Sequence, residues 1–374
     1  MITNDSRIYL DYNATSPLTN NVKRLLVSGD FLFANPSSQH GRGKKANKMV
    51  NQTTDFLLDF FHLPKKEFKL FYHSGATEAI NTFFHLTEND ALLYFVSDHP
   101  CVHSVGKHLK SRGVHVEQLD IKNDGQFDYD SVLEKIKTLS LTKKNVWLNF
   151  TYMHNETGVH WDLSLASKLK SQSDVKIHVD AVQVVGKVFQ GTHLDRSVDA
   201  YTFSGHKFGA LKGIGFSFYK TQTKVFPLLL GGGQQGGLRS GTVNTHGIQS
   251  IYASLKDRDL DEEYKQLKKL KDKIILELAK NEKLEVITNQ SSNTICILHE
   301  SMKADIMLVH FDMAGLDVSS GSACSAGSVE PSSTLLAMGK NEKAANNIRL
   351  SIGFNSLGEE ENLLKSLKIV IEKI

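Results

Sequence analysis

Five short apolar runs, each closed by a polar cluster, constrain this chain more than any other feature. They are Phe68–His73, Ala91–Val96, Asn145–Phe150, Val175–Gln183 and Ala200–Phe203, each of the length of a buried strand. Between them lie stretches of helical character, such as Glu78 to His85 and Asp162 to Leu169. Strands alternating with helices over most of the first ~260 residues predict an α/β fold with an open, mainly parallel sheet. In such sheets ligand-binding groups collect beyond the strand C-termini. Ser74 to Thr77, His99, Asn155, Asp180 and Lys207 all fall at those positions.

Each of these positions has a plain reading and a chemical one. In Ser204-Gly-His206-Lys207-Phe-Gly209, Lys207 is either a solvated turn residue or an amine that holds an aldehyde cofactor as a Schiff base. Ser74-Gly-Ala76-Thr77 is either a simple helix cap or a helix start that offers backbone N–H groups to an anion. His99, Cys101 and His103 alternate in a way that invites zinc, but no second Cys/His pair completes a ligand set, so no metal is expected. Gly231 to Gly237 reads as a linker or, with Arg239-Ser-Gly-Thr242 behind it, as an anion-binding turn. Cys296 alternates with apolar strand neighbours and belongs to a core. Cys324 lies among small residues from Asp317 to Ser328, where an accessible thiol is a nucleophile candidate.

The 374 residues suffice for a large domain and a smaller one. Leu267, Leu270, Ile274, Ile275 and Leu278 fit a helix within 257–283, leading into a smaller C-terminal α/β domain. Strands near Thr294–Leu298 and Ile348–Ile352 and helices near Ala304–Ala314 and Glu359–Glu372 are expected there. A net charge of +3, spread along the chain, gives no case for nucleic-acid binding. With no signal-like start, no membrane-length apolar stretch and three widely spaced cysteines, the expectation is a cytoplasmic protein with reduced thiols.

Taken together, the motifs resemble those of the pyridoxal-phosphate cysteine desulfurases, a class V branch of the aminotransferase fold. The resemblance runs from Tyr9-Leu-Asp-Tyr-Asn-Ala-Thr15 to Arg349-Leu-Ser-Ile-Gly353. Between these it includes Asn35-Pro-Ser-Ser-x-His40, Ser74-Gly-Ala-Thr-Glu78, His178-Val-Asp-Ala-Val-Gln183, Ser204-Gly-His-Lys207, Arg239-Ser-Gly-Thr242 and Ser319-Ser-Gly-Ser-Ala-Cys324. It implies a fold-type I transferase with a large domain over 16–257 and a small domain formed by 1–15 and 258–374. It further implies pyridoxal 5'-phosphate on Lys207, Asp180 at the pyridine nitrogen, His99 stacked on the ring, and Gln183 and Asn155 at the ring oxygen. Ala76, Thr77, Ser204 and His206 would hold the phosphate, with Thr242 reaching it across a homodimer interface. Arg349, with Asn155 and Asn35, would bind the carboxylate end of L-cysteine.

On the same resemblance, Cys324 takes the substrate sulfur as a persulfide, leaving L-alanine, and passes it to an acceptor or iron–sulfur scaffold protein or toward tRNA thiolation. The alternative is a selenocysteine lyase or another class V enzyme that does not depend on Cys324. Three positions depart from the family pattern. His154 stands where an asparagine is common, Phe354 where many members carry arginine, and Cys101 follows His99 without a counterpart.

Overall fold

The computed structural model describes residues 7–321 and 331–374. The chain opens with a short strand, β1 (Ile8–Tyr9), and the helices α1 (Asn20–Ser28) and α2 (Gly41–Phe60). Strands and helices then alternate through β2 (Phe68–His73), α3 (Ala76–Phe83), β3 (Asp90–Phe95), α4 (Pro100–Ser111), β4 (His115–Leu119) and α5 (Tyr129–Ser140). The alternation continues with β5 (Asn145–Thr151), α6 (Ser164–Gln172) and β6 (Lys176–Asp180), after which β7 (Ala200–Ser204) and β8 (Gly215–Lys220) follow. Helices α7 (Thr245–Leu255) and α8 (Leu260–Leu278) lead to β9 (Leu284–Val286), β10 (Thr294–His299), α9 (Ala304–Met313) and β11 (Leu316–Asp317). The chain ends through α10 (Ser333–Ala337), β12 (Asn347–Ser351) and α11 (Glu360–Ile371).

The central sheet has the order β2-β8-β7-β6-β5-β3-β4. Its pairs from β7 to β4 are parallel, as the alternating pattern predicts. Strand β8, which the sequence reading did not resolve from its glycine-rich surroundings, enters antiparallel between β7 and β2. Two reversals restore direction, so β2 points the same way as β7. Its C-terminal end, leading to Ser74, therefore lies on the same edge as Ser204 and Asp180. In the register, Gly215 stands opposite both Ser204 and His73. A Cβ on Gly215 would come within 2.6 Å of the His73 ring and of the Phe203 carbonyl oxygen. Glycine here is what lets the two strand ends come level.

The strands β3, β5, β6 and β7 are buried almost throughout, which fits a sheet covered by helices on both faces. Phe61, Phe203, Phe216 and Phe218 pack ring against ring on one face, under α2. The exposed edge of β2 is strapped: the Gln235 side chain donates to the Tyr72 carbonyl (2.9 Å) and accepts from its N–H (2.7 Å). The glycine-rich stretch is thus a fitted turn that satisfies a sheet edge, not a loose linker.

A second buried cluster joins Ile8 and Leu10 to Leu267, Leu270 and Ile274 of α8, Ile295 and Ile297 of β10, Phe311 of α9 and Leu363 and Leu367 of α11. It encloses the antiparallel sheet β12-β10-β9. The N-terminal residues reach it because β1 pairs in parallel with β11 and Asp11 bridges to Ser351. Gly353 lies flat against Tyr12, whose ring carbons would sit 2.1 Å from any Cβ there.

Replacing Gly215 by alanine is expected to destabilise the protein by about 1–3 kcal/mol, since neither the Phe203 backbone nor the packed His73 ring can withdraw freely. A denaturation midpoint measured beside that of the native chain checks this, and an unchanged midpoint would show that the strand ends tolerate separation.

Candidate functional site

The edge at which the strands end carries an interconnected set of polar side chains. Its centre is a residue to which the sequence reading assigned no role, Asn13. The Asn13 carbonyl oxygen accepts hydrogen bonds from Lys207 Nζ (2.8 Å) and Gln183 Nε2 (2.9 Å). Its amide group donates to the Asn155 carbonyl (2.9 Å) and to Thr294 Oγ1 (2.8 Å), and its oxygen Oδ1 accepts from Asn293 (3.0 Å). Lys207 Nζ also donates to the Ala14 carbonyl (2.9 Å). The short extended segment after β1 thereby joins the lysine of the β7 turn to β10 and to the turn after β5.

Asp180 closes β6 with 8% of its surface exposed. The one hydrogen bond that the described residues give its carboxylate comes from the Val182 N–H (3.0 Å). Burial pushes this acid up to about 6, and the Val182 N–H and the charge of Lys207 recover only part of that shift. A buried carboxyl so sparsely paired is suited to receiving a cationic or N–H partner from a ligand.

His99 caps α4 and Pro100 occupies the first helical position, so the cluster read as a strand end is a helix start. His99 Nδ1 accepts from the Cys101 N–H (3.2 Å) and lies 3.0 Å from Cys101 Sγ. Burial pushes the Cys101 thiol up to about 12, so it keeps its proton and donates to Nδ1. These two donors assign the imidazole proton to Nε2. Burial, then the nearby charge of Lys207, lowers His99 to about 4 and keeps the ring neutral. His103 is turned to the Asp98 carbonyl (2.9 Å). Among the described residues no group of three or more His, Cys, Asp or Glu side chains could hold a metal ion.

The start of α3 lies at the same edge. Gly75 is its N-cap and offers no side-chain acceptor, leaving the N–H groups at Ala76 and Thr77 available to an anion. Ser204, which ends β7, is buried, whereas Thr77 is exposed. His206 Nδ1 lies 3.1 Å from Thr15 Oγ1, and burial followed by the charge of Lys207 lowers it to about 4. Arg239 is not an open anion site: its guanidinium pairs with Glu78 (2.9 Å), whose other oxygen accepts from the Ser74 N–H (2.8 Å). That pair holds the glycine-rich turn against α3. Thr242 is exposed on the chain surface.

Arg349 enters from β12 and is 3% exposed. It donates to Asp11 (2.7 Å) and to the Asn155 carbonyl (3.3 Å), while its buried Nε has no partner among the described residues. That spare donor suits a carboxylate. Asn35 is exposed and its side chain accepts from the Ser37 N–H (3.0 Å), so within this chain it serves its own turn and is not joined to Arg349 or Lys207 by a described contact. Cys324 lies outside the described residues.

The departures from the family pattern acquire structural roles. His154 accepts from the Thr157 N–H at Nδ1 (3.2 Å) and meets Thr334 of α10 through Nε2 (3.1 Å). Ser332, the cap of α10, donates to Glu156 (2.6 Å). The turn after β5 thus grips the chain just beyond the segment that carries Cys324. Phe354 stands edge-on to Tyr12, with ring centres 5.7 Å apart, and the Arg258 guanidinium lies over its ring.

The donor set fits pyridoxal 5'-phosphate: a lysine amine, a sparsely paired acid, a neutral histidine and an uncapped helix start converge on one edge. The sequence model of the class-V aminotransferase family matches residues 8–364. A cysteine desulfurase from Nostoc is 32% identical over 89% of this chain and 84% of its own length. The cysteine desulfurase IscS of Dictyoglomus turgidum is 29% identical over 98% of this chain and 95% of its own. Among solved structures, a NifS-like protein from Rickettsia africae superposes with a TM-score of 0.85 at 24% identity, covering 98% of this chain and 99% of that one. A protein solved as SspA in complex with cysteine gives 0.77 at 25% identity, over 92% and 98% of the two chains.

The raised Asp180 carboxyl makes a signed prediction. Its proton is held more tightly in the folded chain, so stability present at low pH is lost as pH rises from about 4 to about 6 and is not regained above that. In the cofactor-free protein, Asp180→Asn is expected to exceed the native chain in stability at pH 7.5 by on the order of 2–3 kcal/mol, falling to about half that at pH 5. Denaturation curves of both proteins at the two pH values check it; a difference independent of pH would mean that the acid is not penalised by burial.

Proposed function

The chain belongs to the class-V aminotransferase family, and we propose that within it the protein is a pyridoxal-phosphate-dependent cysteine desulfurase. The observation that carries the reading is the Lys207 amine beside the buried Asp180 carboxyl at one sheet edge, joined through Asn13 and the Asn155 carbonyl to the Arg349 guanidinium. The overall change is balanced: L-cysteine and an enzyme thiol give L-alanine and an enzyme persulfide. When bound, pyridoxal 5'-phosphate supplies an aldehyde for the substrate amine and a ring that accepts the electron pair released at Cα.

The protein's own groups do the rest. Lys207 holds the cofactor and afterwards moves the proton at Cα. Asp180 balances charge at the ring nitrogen, which its raised carboxyl is suited to do. Gln183 and Asn155 would address the ring oxygen, and neutral His99, with its proton on Nε2, would stack on the ring. The α3 start at Ala76 and Thr77, with Ser204 and His206, holds the phosphate. Arg349 orients the substrate carboxylate, and Asn155 and Asn35 are assigned to the same task. Cys324 accepts the sulfur.

The remaining assignments are parts of the same proposal. The units are 16–257 and 1–15 with 258–374, a division supported by the separate apolar cluster around α8, β10 and α11. The protein acts as a homodimer in which Thr242 completes the partner's phosphate site, a reading supported by the exposure of Thr242 and of nearby Phe226, Leu228, Leu229 and Leu230. Sulfur passes to an acceptor or iron–sulfur scaffold protein in the cytoplasm. No helix among the described residues is long and apolar enough to cross a membrane. A selenocysteine lyase is not favoured, since the relatives reported above carry the name cysteine desulfurase.

The native protein is expected to release alanine and sulfide in equal amounts from L-cysteine with a thiol reductant. Cys324→Ala is expected to bind the cofactor and lose sulfide release by two orders of magnitude or more, and Lys207→Ala to lose both products. Assays of both products with the three proteins decide the matter. Sulfide release unaffected by Cys324→Ala would replace the persulfide route by a direct lyase.

A further inference from the structure

One buried lysine has no part in the function proposed above. Lys187 follows Gln183 by four residues and is 6% exposed. The described residues give its amine one hydrogen-bond acceptor, Gln183 Oε1 at 2.5 Å. The charges that face it are Lys207, Arg349, Arg258 and Glu263. Glu263 is already held by Arg258 through both of its oxygens (2.7 and 2.8 Å). A charged ammonium at this place would meet three cations and no unengaged anion, and burial, followed by the charge of Lys207, holds the amine well below the usual lysine range.

A carboxamide has nearly the same shape in its two flipped orientations, and only its hydrogen-bond partners select one. At Gln183 they do so from both ends. Lys187 donates to Oε1, and Nε2 donates to the Asn13 carbonyl, which also receives Lys207 Nζ. Without the Lys187 donor the far end of the amide would face no partner, and the flipped form would bring Oε1 toward the acceptor side, beside Asn13. An apolar side chain would fill the Lys187 volume at less desolvation cost, so packing does not by itself explain an amine there.

We propose that Lys187 is a positioning residue for the cofactor site, acting through Gln183 to keep the amide N–H end turned toward Lys207. The proposal rests on the reading of Lys207 as the pyridoxal-phosphate lysine. It assigns to Lys187 no contact with the cofactor or the substrate. Its effect is transmitted by one hydrogen bond, and it vanishes when the Gln183 amide is removed.

That dependence supplies the test. Pyridoxal 5'-phosphate is removed from the purified protein and titrated back, with binding followed by absorbance, for the native chain, Lys187→Met, Gln183→Leu and the double variant. Lys187→Met is expected to weaken binding by about 5- to 10-fold, the worth of one lost hydrogen bond. In the Gln183→Leu background the same substitution is expected to change nothing further. Losses that multiply in the double variant, or binding unchanged in Lys187→Met, would overturn the proposal. The melting temperature of cofactor-free Lys187→Met should equal or exceed that of the native chain, and if this variant does not fold, Lys187→Leu enters the same cycle. Lys207→Ala run alongside separates the two levels of inference. If it alters neither binding nor the spectrum, the cofactor reading at Lys207 fails and the proposal with it, whereas a normal Lys207 response with multiplying losses removes the role of Lys187 alone.

Discussion

The Asn13 carbonyl oxygen is the point on which the site depends. It accepts from Lys207 and from Gln183, while the side chain of the same residue spans the Asn155 carbonyl, Thr294 and Asn293. Four distant parts of the chain are therefore fixed by one residue: the turn after β5, the segment after β6, the β7 turn and the strand β10. Each of these bonds is worth only about 1 kcal/mol net, but leaving any of the buried groups unpaired would cost more. The N-terminal segment is held in place from the other side by the β1–β11 pairing and by the packing of Gly353 on Tyr12. The geometry around Lys207 is consequently set in part by a pairing between strands from opposite ends of the chain.

The topology explains why these groups meet. Parallel strands place their C-terminal ends on one edge, and β2 joins that edge because β8 runs antiparallel beside it. The pocket edge therefore needs the glycine at 215, where two strand ends and a histidine ring approach the same backbone. The helix start at Ala76 acquires its place by the same reversal, and the Glu78–Arg239 pair locks the neighbouring turn against it. Packing of the Phe61–Phe203–Phe216–Phe218 rings and the chemistry at Ser204 are two consequences of one strand register, since Phe203 and Ser204 are adjacent in β7.

The apolar runs made the sheet legible, because a strand buried on both faces leaves a continuous hydrophobic trace such as Ala91 to Phe95. The strand-end residues were legible for the same reason: a polar residue directly after such a run has few other places to go. Helix α4 was obscured by Pro100, which looks like a breaker in sequence but occupies the one helical position where its missing N–H is harmless. Strand β8 was hidden by its glycines. Asn13 and Lys187 left no trace in local pattern, because their roles are defined by partners at the far end of the chain or by burial that spacing does not reveal. Arg239 misled in the opposite direction. A guanidinium in an Arg-Ser-Gly-Thr turn suggests an anion, and only the fold shows that Glu78 already supplies one.

What unites the site is that burial, more than pairing, sets its charge states. Asp180 is pushed up to about 6, while His99, His154 and His206 are driven down to between about 3 and about 4. The cost in the isolated chain falls on the acid, which is held away from the carboxylate form that water would favour, while the histidines are kept neutral. The cost at Asp180 would fall if a ligand brought a positive charge there, and the uncapped helix start and the spare Nε of Arg349 are places suited to negative ones. The same incompleteness that weakens the empty fold therefore makes it selective. A ligand with only one of these groups would act at only one of the three places.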